Sequence, residues 1–364
     1  MHPVLKPDDA IDVMALRCIL VIKLRHHGDV LLSGPVLSAL KAAAPHTEID
    51  ALVYKDTRDM IELHPAMSQL HLIDRQWKKL GPVGQLRAEW QLIRTLKSRQ
   101  YDLVVHLTEH NRGAWLIRLL KPRWSVGMEG DFGRFFAKTF THRYPVIAGN
   151  RRHTVEIHLD ALRRLGIQPD PRTRLTMMPG APAEQHVAEL LATHGVQAGR
   201  YIVVHPGSRW LFKCWPVEQT VAVCRQLQAD GHTLVLTGAP DPAEAGMVNA
   251  VIAGLSQPVV NLQGQLTLKQ LGAVIASARM LFGVDSAPMH MAAALGTPVV
   301  ALFGPSGEIE WAPWQVKHRI ITSDHPCRPC GRDGCGGGKV SDCLVQIGSQ
   351  RVYAAIQDLL AECA

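Results

Sequence analysis

The chain of 364 residues carries a formal net charge of +7 and a pI near 9.0, with 47% hydrophobic and 20% charged residues. That length favours two domains of ordinary size, and that composition excludes a disordered or fibrous chain. The positive balance favours anionic partners such as phosphates, nucleic acid or an acidic membrane surface, without choosing among them.

The first sixteen residues hold Asp8, Asp9 and Asp12 and lack both a basic start and an apolar core, so no secretion signal is expected. The most apolar long window, residues 289–304, is interrupted by His290, Gly296 and Pro298, so no membrane span is expected either. The cytosol is the expected compartment, where the eight cysteines are reduced thiols or metal ligands, not disulfides.

Residues 18–22 form a continuous apolar run, as in a strand buried on both faces of a parallel sheet. The run ends in Lys23-Leu24-Arg25-His26-His27-Gly28-Asp29. Val36, Leu37, Leu40 and Ala44 then recur at helical spacing, and Pro35 predicts a restart at Ser33. Asp29 therefore falls beyond the carboxyl end of a strand, where open α/β sheets place their chemistry. Residues 49–54 and 70–74 read as strands. Arg75, Trp77, Lys78 and Lys79 follow as a basic cluster with one aromatic, which on charge alone is a solvated loop. Leu86, Trp90, Ile93 and Leu96 mark a helix, 102–107 a strand and 114–120 a helix; 130–152 reads as a long surface loop. After a helix carrying Val155, Leu159, Leu162 and Leu165, the proline-bearing stretch 166–182 predicts a domain boundary. The expected domains are 1–180 and 181–345, with a terminal helix in 346–364 that in a two-domain protein can cross back to the first.

The second half repeats the alternation: strand 201–204, helix 217–227, strand 233–237 and helix 268–275, with 317–322 as a further strand. Such alternation implies parallel, doubly wound sheets. Between them, the apolar run at 280–284 stops at Asp285-Ser286, a helical pattern follows, and a second run begins at Val299. Ser286 stands where an N-cap belongs, so the free N–H groups of the helix make an anion site. His205-Pro206-Gly207-Ser208 with Lys213 ends another strand with small polar groups and a cation. Two such strand ends suggest a diphosphate.

Gly28 is the one glycine in the turn after the first strand, where a dinucleotide fingerprint needs three, and no P-loop is present. Cys327, Cys330, Cys335 and Cys343 have the most metal-like spacing in the chain and could make a tetrahedral structural zinc site. Their separations are less paired than in a two-knuckle ribbon, and reduced thiols are the favoured expectation. His26 and His27 beside Asp29 are expected to position a substrate, not to bind a metal.

The stretches 24–32, 74–79, 208–215 and 283–294 together resemble the lipopolysaccharide core heptosyltransferases of glycosyltransferase family 9, most of all those of type III. The resemblance covers about residues 17–314. It implies a GT-B fold, two Rossmann-like domains facing a cleft, with the acceptor bound mainly by the first and the nucleotide-sugar by the second. It also implies inverting transfer of L-glycero-D-manno-heptose from ADP-heptose to an inner-core heptose, with no cofactor and no essential metal. Asp29 would be the general base, since an attacking hydroxyl must lose its proton. Ser208, Lys213, Asp285, Ser286, Ala287 and His290 would serve the donor and its departing diphosphate. Arg25, His26, Arg75, Trp77, Lys78 and Lys79 would meet the acceptor, with Arg58 a weaker candidate.

The resemblance further implies peripheral contact with an anionic membrane surface at the cytoplasmic face of the inner membrane, and no nucleic-acid partner. Where the family often carries a ribose-binding acid, Gly238-Ala239 is followed by Pro240, leaving Asp241 or Glu244 as substitutes. The competing expectations are an epimerase or hydrolase of the same fold, and a non-catalytic basic surface-binding protein.

Overall fold

The apolar run at 18–22 is strand β1 (Cys18–Ile22), buried at every residue, and it lies in the middle of a parallel sheet. The structure is a computed structural model that describes residues 7–130, 133–146 and 151–363. It divides into two units, residues 1–176 and 177–364.

In the first unit β1 is joined by β2 (Glu48–Tyr54), β3 (Gln69–Ile73), β4 (Leu103–His106), β5 (Trp124–Met128) and β6 (His142–Tyr144). The sheet order is β3-β2-β1-β4-β5-β6, parallel throughout. Its helices are α1 (His27–Leu31), α2 (Gly34–Ala43), α3 (Gly81–Ser98), α4 (Asn111–Leu120), α5 (Gly133–Ala137) and α6 (Thr154–Arg164). The restart expected at Ser33 is present: Ser33 is the N-cap of α2, and Pro35 sits in its first turn, where its missing N–H costs nothing.

The long surface loop expected at 130–152 is not what forms. Within it lie α5 and the edge strand β6, with Phe136, Phe140 and Tyr144 buried. Residues 131, 132 and 147–150 of that expectation fall outside the described residues.

The second unit holds β7 (Tyr201–His205), β8 (Thr233–Leu236), β9 (Val260–Asn261), β10 (Met280–Val284), β11 (Val299–Leu302) and β12 (His318–Ile321). Its helices are α7 (Ala181–Thr193), α8 (Val217–Ala229), α9 (Pro242–Ala253), α10 (Leu268–Ala276), α11 (Ala287–Leu295), α12 (Glu308–Trp311), α13 (Asp342–Val345) and α14 (Ser349–Glu362). The order β12-β11-β10-β7-β8-β9, renumbered within the unit, is 6-5-4-1-2-3, the topology of the first sheet. Each sheet thus has one switch point where the winding reverses, between β1 and β4 and between β7 and β10. In such sheets ligands bind beyond the carboxyl ends of those strands.

Within the second unit the terminal helix α14 packs on α8, β11 and β12, burying Val352, Ala355, Ile356, Leu359 and Leu360 in the second core. Fully burying large apolar side chains of this kind contributes roughly 1.5–3 kcal/mol each.

Several buried histidines are held neutral by this packing. His106 lies between Phe136 and Phe140, and among the described residues neither ring nitrogen has a hydrogen-bond partner. A side chain on Gly113 would come within 1.8 Å of its Nε2, so only glycine fits beneath the ring. Burial lowers the pKa of His106 to about 3 and those of His64 and His205 to about 4. The unfolded chain takes up these protons near pH 6.5 and the folded chain does not. Stability from this source is therefore complete above pH 6.5 and is lost as pH falls toward 4, by about 3 kcal/mol per histidine once protonated. Urea midpoints measured from pH 7 to 4.5 should fall progressively, and a flat profile would contradict this account.

Candidate functional site

In the first unit the site grows from the end of β1. Lys23 follows the strand's last residue and is only 5% exposed. Its Nζ donates to the Leu107 carbonyl at 2.9 Å and lies 2.9 Å from His158 Nε2. The other nitrogen of that ring, Nδ1, sits 3.1 Å from the Leu32 carbonyl. A carbonyl can only accept, so Nδ1 carries the proton and Nε2 accepts from Lys23. Asp29, in the first turn of α1, brings its carboxylate to 3.7 Å from Lys23 Nζ. Burial lowers the Lys23 pKa to about 8, and the Asp29 charge opposes the shift.

Asp29 is therefore not a cap. The N-cap position of α1 belongs to His26, whose side chain makes no cap bond. The cation beside the carboxylate is Lys23. A single lysine closing an apolar run was the signal available, and it reads as the first solvated residue of a loop.

The acceptor candidates are only partly free to meet a ligand. Arg75 is ion-paired with Asp56, donates to the Arg25 carbonyl at 3.1 Å and stacks over Tyr54 at 3.9 Å. Trp77 is half-buried against the first core, with Arg112 5.8 Å from its ring. Asp74 caps the short 3-10 helix of residues 75–80 by accepting from the Gln76 N–H at 2.8 Å. Lys78 and Lys79 are exposed, as are Arg25 and His26. His27, which begins α1 instead of ending a strand, contacts the Asp56 carbonyl at 2.9 Å through Nε2.

In the second unit the ends of β7 and β10 converge. Gly283 has no side chain because a Cβ there would lie 2.7 Å from the His205 carbonyl, so the two strands approach as only glycine permits. Beyond them Lys213 Nζ pairs with Asp285 Oδ2 at 2.6 Å, and Ser306 Oγ donates to the same oxygen at 2.5 Å. Asp285 is buried, which makes both bonds strong. Ser286 is the N-cap residue of α11, but its hydroxyl donates back to the Val284 carbonyl at 3.3 Å and makes no cap bond. In the first turn of α11 Pro288 has no N–H and the Met289 N–H donates to the Ser286 carbonyl at 3.1 Å, so the N–H groups of Ser286 and Ala287 are the ones that face outward from the helix start. His290 is buried one turn on, its ring 6.4 Å from Trp311. Ser208 is buried and accepts from the Trp210 N–H at 3.3 Å.

A cleft of about 560 Å³ opens here, lined among others by Trp210, Lys213, Ser306, Trp311, Cys330 and Asp333. The cysteine-bearing loop is thus a wall of this cleft, a placement the sequence did not indicate. Arg328 holds it there. Its guanidinium donates to the Gly304 carbonyl at 3.0 Å, the Ser323 carbonyl at 3.1 Å and Glu308 at 3.0 Å, and the Gly331 N–H donates to the Pro305 carbonyl at 2.8 Å. The four cysteines differ in setting: Cys327 and Cys335 are exposed, Cys330 intermediate and Cys343 buried. Among the described residues no group of three or more His, Cys, Asp or Glu is disposed to hold a metal.

Neither ribose candidate is uncommitted. Asp241 is the N-cap of α9, accepting from the Ala243 and Glu244 N–H groups. Glu244 is buried, accepts from the Ala239 N–H at 3.1 Å and lies 3.9 Å from His205 Nε2; burial raises its pKa.

A family model described as glycosyltransferase family 9 (heptosyltransferase) matches residues 89–340. The chain belongs to glycosyltransferase family 9. Within the family, lipopolysaccharide heptosyltransferase 3 of Escherichia coli is 37% identical over 294 residues, 80% of this chain and 84% of that one. Lipopolysaccharide heptosyltransferase 1 of Pseudomonas aeruginosa is 25% identical over 321 residues, 87% of each chain. Among solved structures, the family 9 glycosyl transferase from Veillonella parvula superposes with a TM-score of 0.84 at 23% identity, covering 98% of this chain and all of that one. E. coli heptosyltransferase WaaC with ADP gives 0.71 at 20% identity, covering 94% and 99%. The fold expected for the family, GT-B, is the one observed.

Proposed function

We propose that this protein is an inverting heptosyltransferase that moves L-glycero-D-manno-heptose from ADP-heptose to a heptose of the lipopolysaccharide inner core. The observation that carries the reading is the buried Asp285 carboxylate held by Lys213 and Ser306 at the free N-terminus of α11. This arrangement compensates a carboxylate and leaves the Ser286 and Ala287 N–H groups and an ammonium to receive diphosphate charge as the leaving group departs. Family membership weighs against the epimerase, the hydrolase and the non-catalytic binder. In this reading residues 1–180 bind the acceptor, Asp29 is the general base, and the second unit binds the donor through Ser208, Lys213, Asp285, Ser286, Ala287 and His290. No cofactor and no metal enter the chemistry, and the enzyme works at the cytoplasmic face of the inner membrane.

Mass spectrometry of truncated core acceptors after incubation with ADP-heptose tests it. A gain of one heptose on one acceptor is expected, and hydrolysis of ADP-heptose with no transfer to any acceptor would overturn it.

The basic cluster gives a separate prediction. Inner-core acceptors carry anionic groups, and Lys78 and Lys79 are the exposed cations of the cluster, whereas Arg75 is already paired to Asp56. Lys78→Gln with Lys79→Gln should raise the apparent acceptor constant about five- to thirtyfold and weaken its salt dependence, leaving ADP-heptose binding alone. Arg75→Gln should also lower thermal stability, because it frees Asp56 and the Arg25 carbonyl. An unchanged acceptor titration would return the cluster to the role of a solvated loop.

A further inference from the structure

Helix α3 has two faces of opposite use. Leu92 and Leu96 enter the first core with Ile93 against it. On the other side Val83, Leu86 and Trp90 are 82%, 71% and 58% exposed, and Leu80, leading into the helix, is 57% exposed. The spacing 83, 86, 90 puts the three helical side chains on one stripe. Singly exposed apolar residues are ordinary, but a contiguous stripe marks an interaction surface.

The charge around the stripe narrows the partner. Lys78, Lys79, Arg87, Arg94 and Lys97 are all exposed along the same segment. Its single acid, Glu89, is tied to Arg112. Arg94 lies over the Trp90 ring at 5.5 Å, so a cation and an amphipathic indole share one spot. A protein groove would take the apolar stripe but gives no reason for five cations without a free carboxylate. An anionic bilayer surface accounts for both: apolar side chains enter the boundary between headgroups and acyl chains, and the cations meet lipid phosphates. No helix among the described residues is long and apolar enough to cross a membrane, so the contact would be peripheral.

We propose that the exposed face of α3 is the surface by which this protein docks on anionic phospholipid bilayers. The inference deepens the reading of a lipid-borne acceptor given above, and it locates the contact next to the basic cluster read as acceptor-binding.

The test uses the full chain and extruded vesicles, either phosphatidylcholine alone or with phosphatidylglycerol, in a flotation assay. Binding is expected to the anionic vesicles and to weaken with salt. Val83→Ser, Leu86→Ser and Trp90→Ser combined should reduce partitioning at least about tenfold. Arg87→Gln, Arg94→Gln and Lys97→Gln should each weaken it about fivefold. Brominated lipid should quench the emission of the wild-type protein more than that of Trp90→Phe.

Transfer to a soluble, delipidated acceptor should be unchanged in the triple serine variant, which separates docking from chemistry. Absence of transfer in every form with vesicle binding intact would remove the functional reading and leave the docking surface standing. Vesicle binding equal in the triple variant and the wild type, or absent in the wild type, overturns the proposal. So does a concentration-dependent dimer that the triple variant abolishes without any vesicle binding, which would assign the face to a second copy of the chain.

Discussion

Asp29→Asn is expected to preserve folding and ADP-heptose affinity while cutting turnover by about two to four orders of magnitude. The side chain is nearly isosteric and keeps an acceptor oxygen, but an amide has negligible basicity and cannot take the proton of an attacking hydroxyl. Asp29 is not the N-cap of α1 and makes no cap bond that asparagine could inherit. Its carboxylate lies 3.7 Å from the Lys23 ammonium, so the variant also strips a buried cation of its counter-charge. That complication can be resolved. Lys23 already titrates near 8 because of burial, and losing Asp29 lowers the value further. If the loss of turnover came from a deprotonated Lys23, assays at lower pH would recharge it and restore activity. If it came from the missing base, acid would restore nothing. Near-normal turnover in Asp29→Asn would remove Asp29 from the mechanism altogether.

Lys213→Ala should weaken ADP-heptose binding about ten- to a hundredfold and lower kcat/KM by about two to three orders of magnitude. The pair with Asp285 makes the effect larger than the loss of one surface cation. Asp285 is 6% exposed at its side chain, and without Lys213 it is left with the Ser306 hydroxyl. A buried carboxylate left so would repel the diphosphate that the ammonium had welcomed. Because leaving-group charge grows toward the transition state, turnover at saturating donor should fall as well. Weaker binding with unchanged saturating turnover would show that Lys213 holds ground and transition states equally. In Lys213→Ala with Asp285→Asn, part of the binding loss should return, since the repelling charge is gone; a strictly additive cycle would argue against the coupling.

What could be read from the chain was what short-range pattern encodes. β1 and β10 are uninterrupted apolar runs because both faces of a central parallel strand are buried, and the restart at Ser33 follows from one proline. Asp285 stands out as a charge immediately after such a run, and Asp29 and Lys213 as charges in the segments that follow β1 and β7. The misreadings share a cause in contacts between distant residues. Residues 133–146 look like loop because Arg, Lys and His are interspersed among the aromatics, yet His106 and β5 supply a surface for Phe136, Phe140 and β6. Lys23 looks solvated until Leu107 and His158 close over it. Arg75 seems available until Asp56, nearly twenty residues earlier, is found bonded to it. The identity of the two sheet orders is invisible in sequence, since strand order resides in the crossovers and not in the residues of the strands.

The Arg328 anchor bears on which changes of length the chain tolerates. Exposed segments past the last strand of a sheet are ordinarily where insertions and deletions are absorbed at small cost. Here residues 327–331 are tied by side-chain and backbone bonds to the turn that presents Ser306 to Asp285. An indel in this stretch would therefore behave as a lesion of the donor pocket, despite its distance along the chain from Lys213. Grafting a substitute tail after β12, or tagging the protein inside this loop, would need to preserve the spacing from Gly304 to Gly331 before anything else.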